Sequence, residues 1–310
     1  MPNQVIHIAG EAPESRSVPK PVSTLLVIIS QMIALGVLLA LYLSRNPLDL
    51  EPLQFLVTLG PRIAFVVPIL LILPVLLYFR QWWLLAENGF LLMIVLGPLM
   101  GLNLNGLFHS GLSSETARDR CVRVMSFNIG PYGLDIERLV SYLDTQNVDV
   151  LLIQEDSYLW KLKSTLDAKG GWYSNHRNTI FSRFPITAES KELPDEFGGQ
   201  RIYAGHLDMA RLHHEKFDFI VGSAHGPSLR QAFHGFVDHQ DLQELKRSMQ
   251  WQKRQLERIA AMADASDSLP LILGGDFNIP PGSVYSRPLD KRFIDVFAAV
   301  GTGYGFTFPT

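Results

Sequence analysis

One cysteine, Cys121, is all that the 310-residue chain contains, which excludes an intrachain disulfide and any zinc site built on several cysteines. Its scarcity does not fix the compartment, because an exported domain of this size can fold without bridges. An excess of positive charge is also missing, since 27 Lys and Arg stand against 30 Asp and Glu for a net charge of -3. A nucleic-acid-binding surface is normally basic, and this balance does not advertise one. No internal repeat is visible. Charge itself is scarce in the first third: the basic residues there are Arg16, Lys20, Arg45, Arg62 and Arg80, and the acidic ones Glu11, Glu14, Asp49, Glu51 and Glu87. Most of the charge lies beyond residue 112, where the composition is that of an ordinary soluble domain.

What fills the charge-poor third is hydrocarbon. Residues 1–21 are polar and hold Pro13, Pro19 and Pro21 among charges and serines, which reads as a disordered tail. Val22 to Leu43 then carries no charge and matches the roughly 20 residues that a helix needs to cross a bilayer. The run is too long for a cleaved signal peptide, and no small-x-small site follows it. Ile63 to Phe79 is a second uncharged run, bracketed by Arg62 and Arg80 and containing Pro68 and Pro74, prolines that membrane helices tolerate. Gly89 to Leu102 is a third, extended backward by Trp82 and Trp83, an aromatic pair suited to the membrane interface. Glu87 then has to lie at the boundary or face other helices. The expectation is a multi-pass membrane region of about three helices over residues 22–108, with a bilayer as partner. Arg16 and Lys20 before the first span, and Arg80 between the second and third, favour an inside amino terminus and an extracytoplasmic domain. A short polar linker covers residues 109–120.

Strands and helices alternate beyond it. Cys121 to Asn128 is rich in strand formers and stops at the turn cluster Ile129-Gly130-Pro131-Tyr132-Gly133. Residues 134–146 carry Leu134, Ile136, Leu139, Val140 and Leu143 at helical spacing. Val148 to Ile153 is an apolar strand running into Gln154-Glu155, with a helix expected over 157–168. Thr179 to Ile186, Arg201 to Met209 and Phe217 to Ala224 are further strand candidates, the last ending at His225. A long polar helix is expected over 239–264, followed by the strand Leu271 to Gly275 and a short helix over Ile294 to Val300. Runs of strands with interspersed helices point to two packed sheets with helices outside.

Polar groups fall at the ends of the apolar strands: Asn128, Glu155, His225, and the pair Asp276 and Asn278. Alternation along a strand puts Asp276 and Asn278 on one side and Phe277 in the core; an ordinary Asx turn is the plainer reading of the same residues. An acid, two amides, an imidazole and a second acid at four strand ends suit metal-assisted phosphate chemistry. A hard cation takes carboxylate oxygens and waters, an aspartate can orient or deprotonate a water, and amides or an imidazole can donate to phosphate oxygens as charge develops.

Ser126-Phe127-Asn128-Ile129-Gly130, Asp149 to Glu155, Ile180-Phe181-Ser182-Arg183-Phe184-Pro185, the strand ending at His225, and Gly275-Asp276-Phe277-Asn278 occur in that order. Together they resemble the endonuclease/exonuclease/phosphatase family, the group that includes DNase I, exonuclease III-type repair nucleases, neutral sphingomyelinases and inositol polyphosphate 5-phosphatases. The resemblance covers residues 121–310. It implies a DNase I-like four-layered α/β sandwich and hydrolysis of phosphodiesters or phosphomonoesters with Mg²⁺ or Mn²⁺. By motif, Glu155 would be the metal ligand and Asn128 would support metal and phosphate. His225 would hydrogen-bond the phosphate, Asp276 would orient or activate the water, and Asn278 would position Asp276 or the phosphate. Asp295 matches a family position whose role is structural. The expected substrate is a phosphate ester on a lipid head group or in nucleic acid, and no protein partner is inferable.

The family pattern continues past Thr307-Phe308-Pro309 into further strands and a Ser-Asp-His segment, whereas this sequence ends at Thr310. It reads as a piece of a longer protein with the carboxyl end of the domain missing, so the chain as given is expected to lack full activity. The competing expectations are a nuclease of the same fold and an inactive membrane-anchored interaction module.

Overall fold

The structure, a computed structural model, describes residues 19–46, 51–108, 121–130, 134–155, 159–192, 206–226, 239–265 and 269–305. The expected tail up to residue 18 and the linker from 109 lie outside the described residues. The first element, α1 (Lys20–Arg45), takes in the last two residues of that expected tail. It is followed by α2 (Glu51–Leu59), a 3₁₀ turn at Arg62–Phe65 leading into α3 (Val66–Tyr78), and α4 (Trp82–Ile94), which ends in a π-helical turn at Val95–Leu99. The segments Lys20–Arg45 and Trp82–Leu99 are long and apolar enough to cross a membrane by length and composition, and Arg62–Tyr78 is a shorter apolar helix.

Only a narrow seam of this bundle is buried. Val37, Ala40, Val66, Ile69, Leu91, Val95 and Leu99 pack together, while Met32 is 68% exposed, Leu71 69% and Trp83 90%. A few polar side chains meet between the helices. Asn88 donates to Ser30 Oγ at 3.1 Å, and Gln31 donates to Glu87 Oε1 at 2.9 Å, so the one acid of the third run faces a neighbouring helix.

Beyond the bundle stand two four-stranded sheets. The first contains β2 (Val124–Asn128), β3 (Val150–Gln154), β4 (Tyr173–Ser174) and β5 (Ile180–Ser182), in the order β2-β3-β5-β4. The second runs β6 (Ile186–Glu192), β7 (His206–His214), β8 (Phe217–His225), β9 (Leu271–Asp276), in that order. In each sheet one pair is parallel, β2 with β3 and β8 with β9. Val150, Leu152 and Ile180 of the first sheet meet Ala210, Leu212, Phe219 and Val221 of the second. The opposite face of β3, with Leu151 and Ile153, packs on α5 (Ile136–Thr145) and α6 (Leu159–Lys169). The outer face of the second sheet, with Leu207, Met209 and Ala224, packs on Leu256 and Ile259 of α7 (His239–Ala265). These are the four layers that the strand and helix pattern implied.

Local chemistry explains where elements start and stop. Asp135 caps α5 by accepting from Arg138 N at 3.0 Å, and Ile136, Leu139, Val140 and Leu143 form its buried face. The strand expected over Thr179 to Ile186 is two strands, β5 and β6, in different sheets. Pro185 has no N–H to give a ladder, and Ser182 Oγ accepts from Phe184 N at 2.9 Å, which turns the chain out of the first sheet. Asp208 of β7, 1% exposed, accepts across the sandwich from Thr179 Oγ1 at 2.9 Å.

The end of the chain folds back onto the bundle. After α8 (Arg287–Asp290) and α9 (Val296–Val300), β10 (Gly303–Tyr304) pairs antiparallel with β1 (Leu102–Asn103). Asp295 caps α9 by accepting from Ala298 N at 3.0 Å, the structural role expected for it. Val284 N donates to Ser44 O at 2.8 Å, and Asn103 Nδ2 to Ala298 O at 3.0 Å. The stretch 301–305 thus contributes a short strand that fastens it to the segment following the last apolar helix.

Candidate active site

The carboxyl ends of β2, β3, β8 and β9 open on the same side of the sandwich. β2 and β3 are parallel and in register from Val124 opposite Val150 to Asn128 opposite Gln154, so Asn128 and Glu155 leave the first sheet together. β8 and β9 are parallel from Ile220 opposite Leu271 to His225 opposite Asp276, so those two leave the second sheet together. The sheets approach closely here: a Cβ on Gly274 would sit 2.8 Å from Leu152 Cδ1. Gly275, at φ +155°, has no room for a side chain, because a Cβ would strike the backbone oxygen of Ala224. Gly274 is therefore what lets β9 come close to the first sheet, and Gly275 what lets it pair tightly with β8.

Asn128 is the centre of the cluster. Its Nδ2 donates to Glu155 Oε1 at 3.2 Å and to Asp276 Oδ2 at 2.9 Å, and its Oδ1 accepts from Gly130 N at 2.9 Å. One amide thus ties together two carboxylates that are 121 positions apart. On the far side, Asp276 Oδ1 accepts from Asn278 N at 2.9 Å, and Gly226 N donates to the carbonyl of Asp276 at 2.7 Å. Asn278 Nδ2 donates to Gly226 O at 2.8 Å. Asp276 and Asn278 form the Asx turn of the plainer reading, and the turn places Asp276 beside Asn128. Asn278 is not on an extended strand as alternation required; its φ is +52°. Its side chain is committed to Gly226, and it positions Asp276 through its backbone N–H. Glu155 also has a left-handed backbone, φ +63°, a conformation that costs a residue without Asn's local hydrogen bonding of order 1–3 kcal/mol and tends to occur where side-chain placement matters.

Sequence reasoning missed the layer beneath these groups. Gln154, 1% exposed, accepts from Ser126 Oγ at 3.3 Å and donates to Ser223 Oγ at 3.2 Å, and Ser223 Oγ donates to Ile153 O at 3.0 Å. This chain of bonds links β2, β3 and β8 directly below Asn128, Glu155 and His225. The signal available was a glutamine inside an otherwise apolar strand, which needs a buried partner. Gly226, whose carbonyl anchors Asn278, was not singled out in the sequence either.

Glu155 and Asp276 offer two carboxylates on one shared donor, and among the described residues no group of three His, Cys, Asp or Glu side chains comes together. Two carboxylates fit a hard cation that keeps several waters and takes its remaining ligands from a phosphate. The strand ends thus gather paired acids, amides and an imidazole on one side of the α/β sandwich.

Residues 101–310 match the Endonuclease/Exonuclease/phosphatase family, and the chain belongs to it. The family is generally one of hydrolases acting on phosphate esters, typically dependent on a divalent metal. No curated protein matches the sequence. Among solved structures the chain is similar to a humanized D. rerio TDP2, at 15% identity over 54% of this chain and 66% of that one, with a TM-score of 0.40. It is also similar to an endonuclease/exonuclease/phosphatase family protein from Bacteroides thetaiotaomicron, at 17% identity over 55% and 67%, TM-score 0.39. A third is a β-hairpin deletion mutant of beta toxin from Staphylococcus aureus, at 13% identity over 56% and 72%, TM-score 0.40. The chain spans slightly less than two thirds of the length of the first of these.

Proposed function

We propose that this protein is a membrane-anchored, metal-dependent phosphoesterase that hydrolyses phosphodiester or phosphomonoester bonds. The observation that carries the reading is the Asn128 amide bonded to both Glu155 and Asp276, with His225 beside Asp276 in register. Mg²⁺ or Mn²⁺ held by Glu155 would neutralise phosphate charge. Asp276, with one oxygen on Asn278 N and the other on Asn128, is oriented to accept a proton from an attacking water. His225 supplies a ring N–H toward phosphate oxygens, a donor useful as negative charge builds in the transition state. Asn128 and Asn278 hold the acids in position.

Membrane anchoring is supported by the length and composition of Lys20–Arg45 and Trp82–Leu99 and by the apolar side chains those helices leave outside. At about 1.5 Å per residue α1 reaches about 39 Å, more than the roughly 30 Å hydrocarbon core. With Arg80 and Lys20 inside, three passes leave the sandwich on the extracytoplasmic side. Fusions of alkaline phosphatase and green fluorescent protein at residue 115 test this: an active phosphatase and a dark fluorophore are expected, and the reverse pattern overturns the placement.

The chemistry is tested with the full chain in detergent, bis-p-nitrophenyl phosphate and Mg²⁺. Hydrolysis should vanish with chelator and fall at least about 100-fold in Asp276→Ala, the lower end of what general-base loss costs. Metal-independent turnover, or full activity in that variant, would sink the reading.

A further inference from the structure

The face of the sandwich that carries the site is also the face that meets the bundle. From Asn278 the chain passes Pro280, Pro281 and Gly282 and within six residues reaches Val284, whose N–H is bonded to Ser44 O at the end of α1. Six residues span at most about 20 Å when fully extended, and the turns at Pro281–Val284 shorten this one. The end it reaches is a single level of the bundle. Arg45 Nη2 donates to Pro98 O at 3.3 Å, Arg62 Nη2 to Thr58 O at 3.0 Å, and Arg62 Nη1 to Leu99 O, which gathers the end of α1, the start of the second apolar run and the π-helical end of α4. The opposite end of the bundle holds Lys20, Arg80, Trp82 and Trp83.

Around this junction the surface has an unusual pairing of side chains. Arg287, Lys291 and Arg292 are exposed, and Arg287 also donates to the carbonyl of Arg45. Immediately beyond them, Ile294 is 82% exposed and Val296 71%. Next to α9, on the segment that continues from the last apolar helix, Leu107 and Phe108 are exposed as well. Gly106 N donates to Gly301 O at 2.8 Å, which joins the two strips. Basic residues beside outward apolar ones, continuous in chain with a bilayer-length helix, match the layered chemistry of a lipid surface: anionic head groups above, acyl chains below.

We infer that residues 287–300 together with 104–108 form a collar lying in the head-group layer, which turns the site's mouth toward the bilayer and makes a phosphate ester carried on a lipid head group the substrate. The inference rests on the phosphoesterase reading and on the bundle being in a membrane. The collar brings the site to a substrate that diffuses in the plane of the bilayer, and Asn103 and Asn105, bonded to the carbonyls of residues 297 and 298, keep α9 fixed to the anchor.

The full chain in vesicles of phosphatidylethanolamine and phosphatidylglycerol supplies the test. With Cys121→Ser, an environment-sensitive fluorophore is attached at Val296→Cys or, as control, at Glu215→Cys on the β7–β8 turn at the far end of the second sheet. A head-group spin label should quench the first at least threefold more than the second; equal quenching overturns the collar. Turnover of the vesicle lipid is then followed by phosphorus NMR beside that of bis-p-nitrophenyl phosphate. In Lys291→Glu/Arg292→Glu, lipid turnover should fall at least tenfold while soluble turnover stays within twofold. Hydrolysis of the soluble ester or of plasmid DNA with none of the lipid, or a parallel loss of both activities, refutes the substrate assignment. Absence of any turnover by the wild type refutes the phosphoesterase reading as well, and the quenching result still decides the collar separately.

Discussion

Replacing Asn128 with Asp asks the site what it is built to hold. The wild-type amide donates to Glu155 and Asp276 at 3.2 and 2.9 Å. An aspartate there keeps the shape, removes both bonds and adds a third negative charge beside the first two. Hydrogen bonds to charged groups contribute about 1.5–3 kcal/mol each. Unit charges about 4 Å apart at an effective dielectric of 20 repel by about 4 kcal/mol. All three residues are half-buried, so water screens much of this, and about 2 kcal/mol per pair is a reasonable residue of it. Without divalent ions, Asn128→Asp should lose about 6–7 kcal/mol, the lost bonds and the two repulsions together, a fall of roughly 12–28 °C for a domain of this size. Asn128→Ala, which loses the bonds without gaining charge, should lose about 2–3 kcal/mol. Mg²⁺ separates the two. A third carboxylate strengthens cation binding, and an ion at 100 times its dissociation constant stabilises by about 2.7 kcal/mol. Thermal unfolding of the full chain in detergent, followed by tryptophan fluorescence with and without Mg²⁺, should therefore show the largest magnesium-induced rise in Asn128→Asp and the smallest in Asn128→Ala. Equal responses in all three proteins would refute the idea that a cation is held at Glu155 beside residue 128.

Gly275→Ala forces a Cβ against the carbonyl of Ala224 and should cost at least about 3 kcal/mol, among the largest single-residue effects; a melting temperature within 2 °C of wild type would show that β9 shifts freely. Asp208→Ala strips Thr179 Oγ1 and Arg177 of a buried acceptor and should cost about 3 kcal/mol by the same unfolding measurement, with a value below about 1 kcal/mol counting against a structural role. On the exposed end of the second sheet, His213 and Arg211 hold the Asp218 carboxyl below the ordinary aspartate range. A depressed carboxyl stabilises the fold above its unfolded pKa and loses that contribution as pH falls through the folded one. Asp218→Asn should thus flatten the acid side of the stability profile, and carboxyl NMR should find Asp218 titrating below free aspartate; titration at or above it would contradict the pairing.

Much of the sandwich could be read locally because its signals are local. Ile136, Leu139, Val140 and Leu143 repeat at helical spacing and are the buried face of α5, while the uninterrupted apolar run of β3 needs both of its faces covered and has them covered. Pro185 carried the break between sheets in plain view, yet a strand of one period reads as continuous until the partners are known. The site divided the same way. Side-chain type and position at strand ends marked Asn128, Glu155, His225, Asp276 and Asn278. Which of them touch depended on register, on Gly274, which lets β9 approach the first sheet, and on Gly275, which lets it pair with β8.

Composition and periodicity by themselves determined that an apolar helical region precedes an α/β domain whose strands end in acids, amides and an imidazole, because hydrophobic burial and strand geometry act over a few residues. Tertiary structure alone decided that Asn128 joins Glu155 to Asp276, that Gln154 and Ser223 brace them from below, and that residues 283–304 fasten the site's face to the end of the bundle. Those are contacts between segments 27 to 242 positions apart, fixed by how the sheets stack and where the chain returns, and no local pattern encodes them.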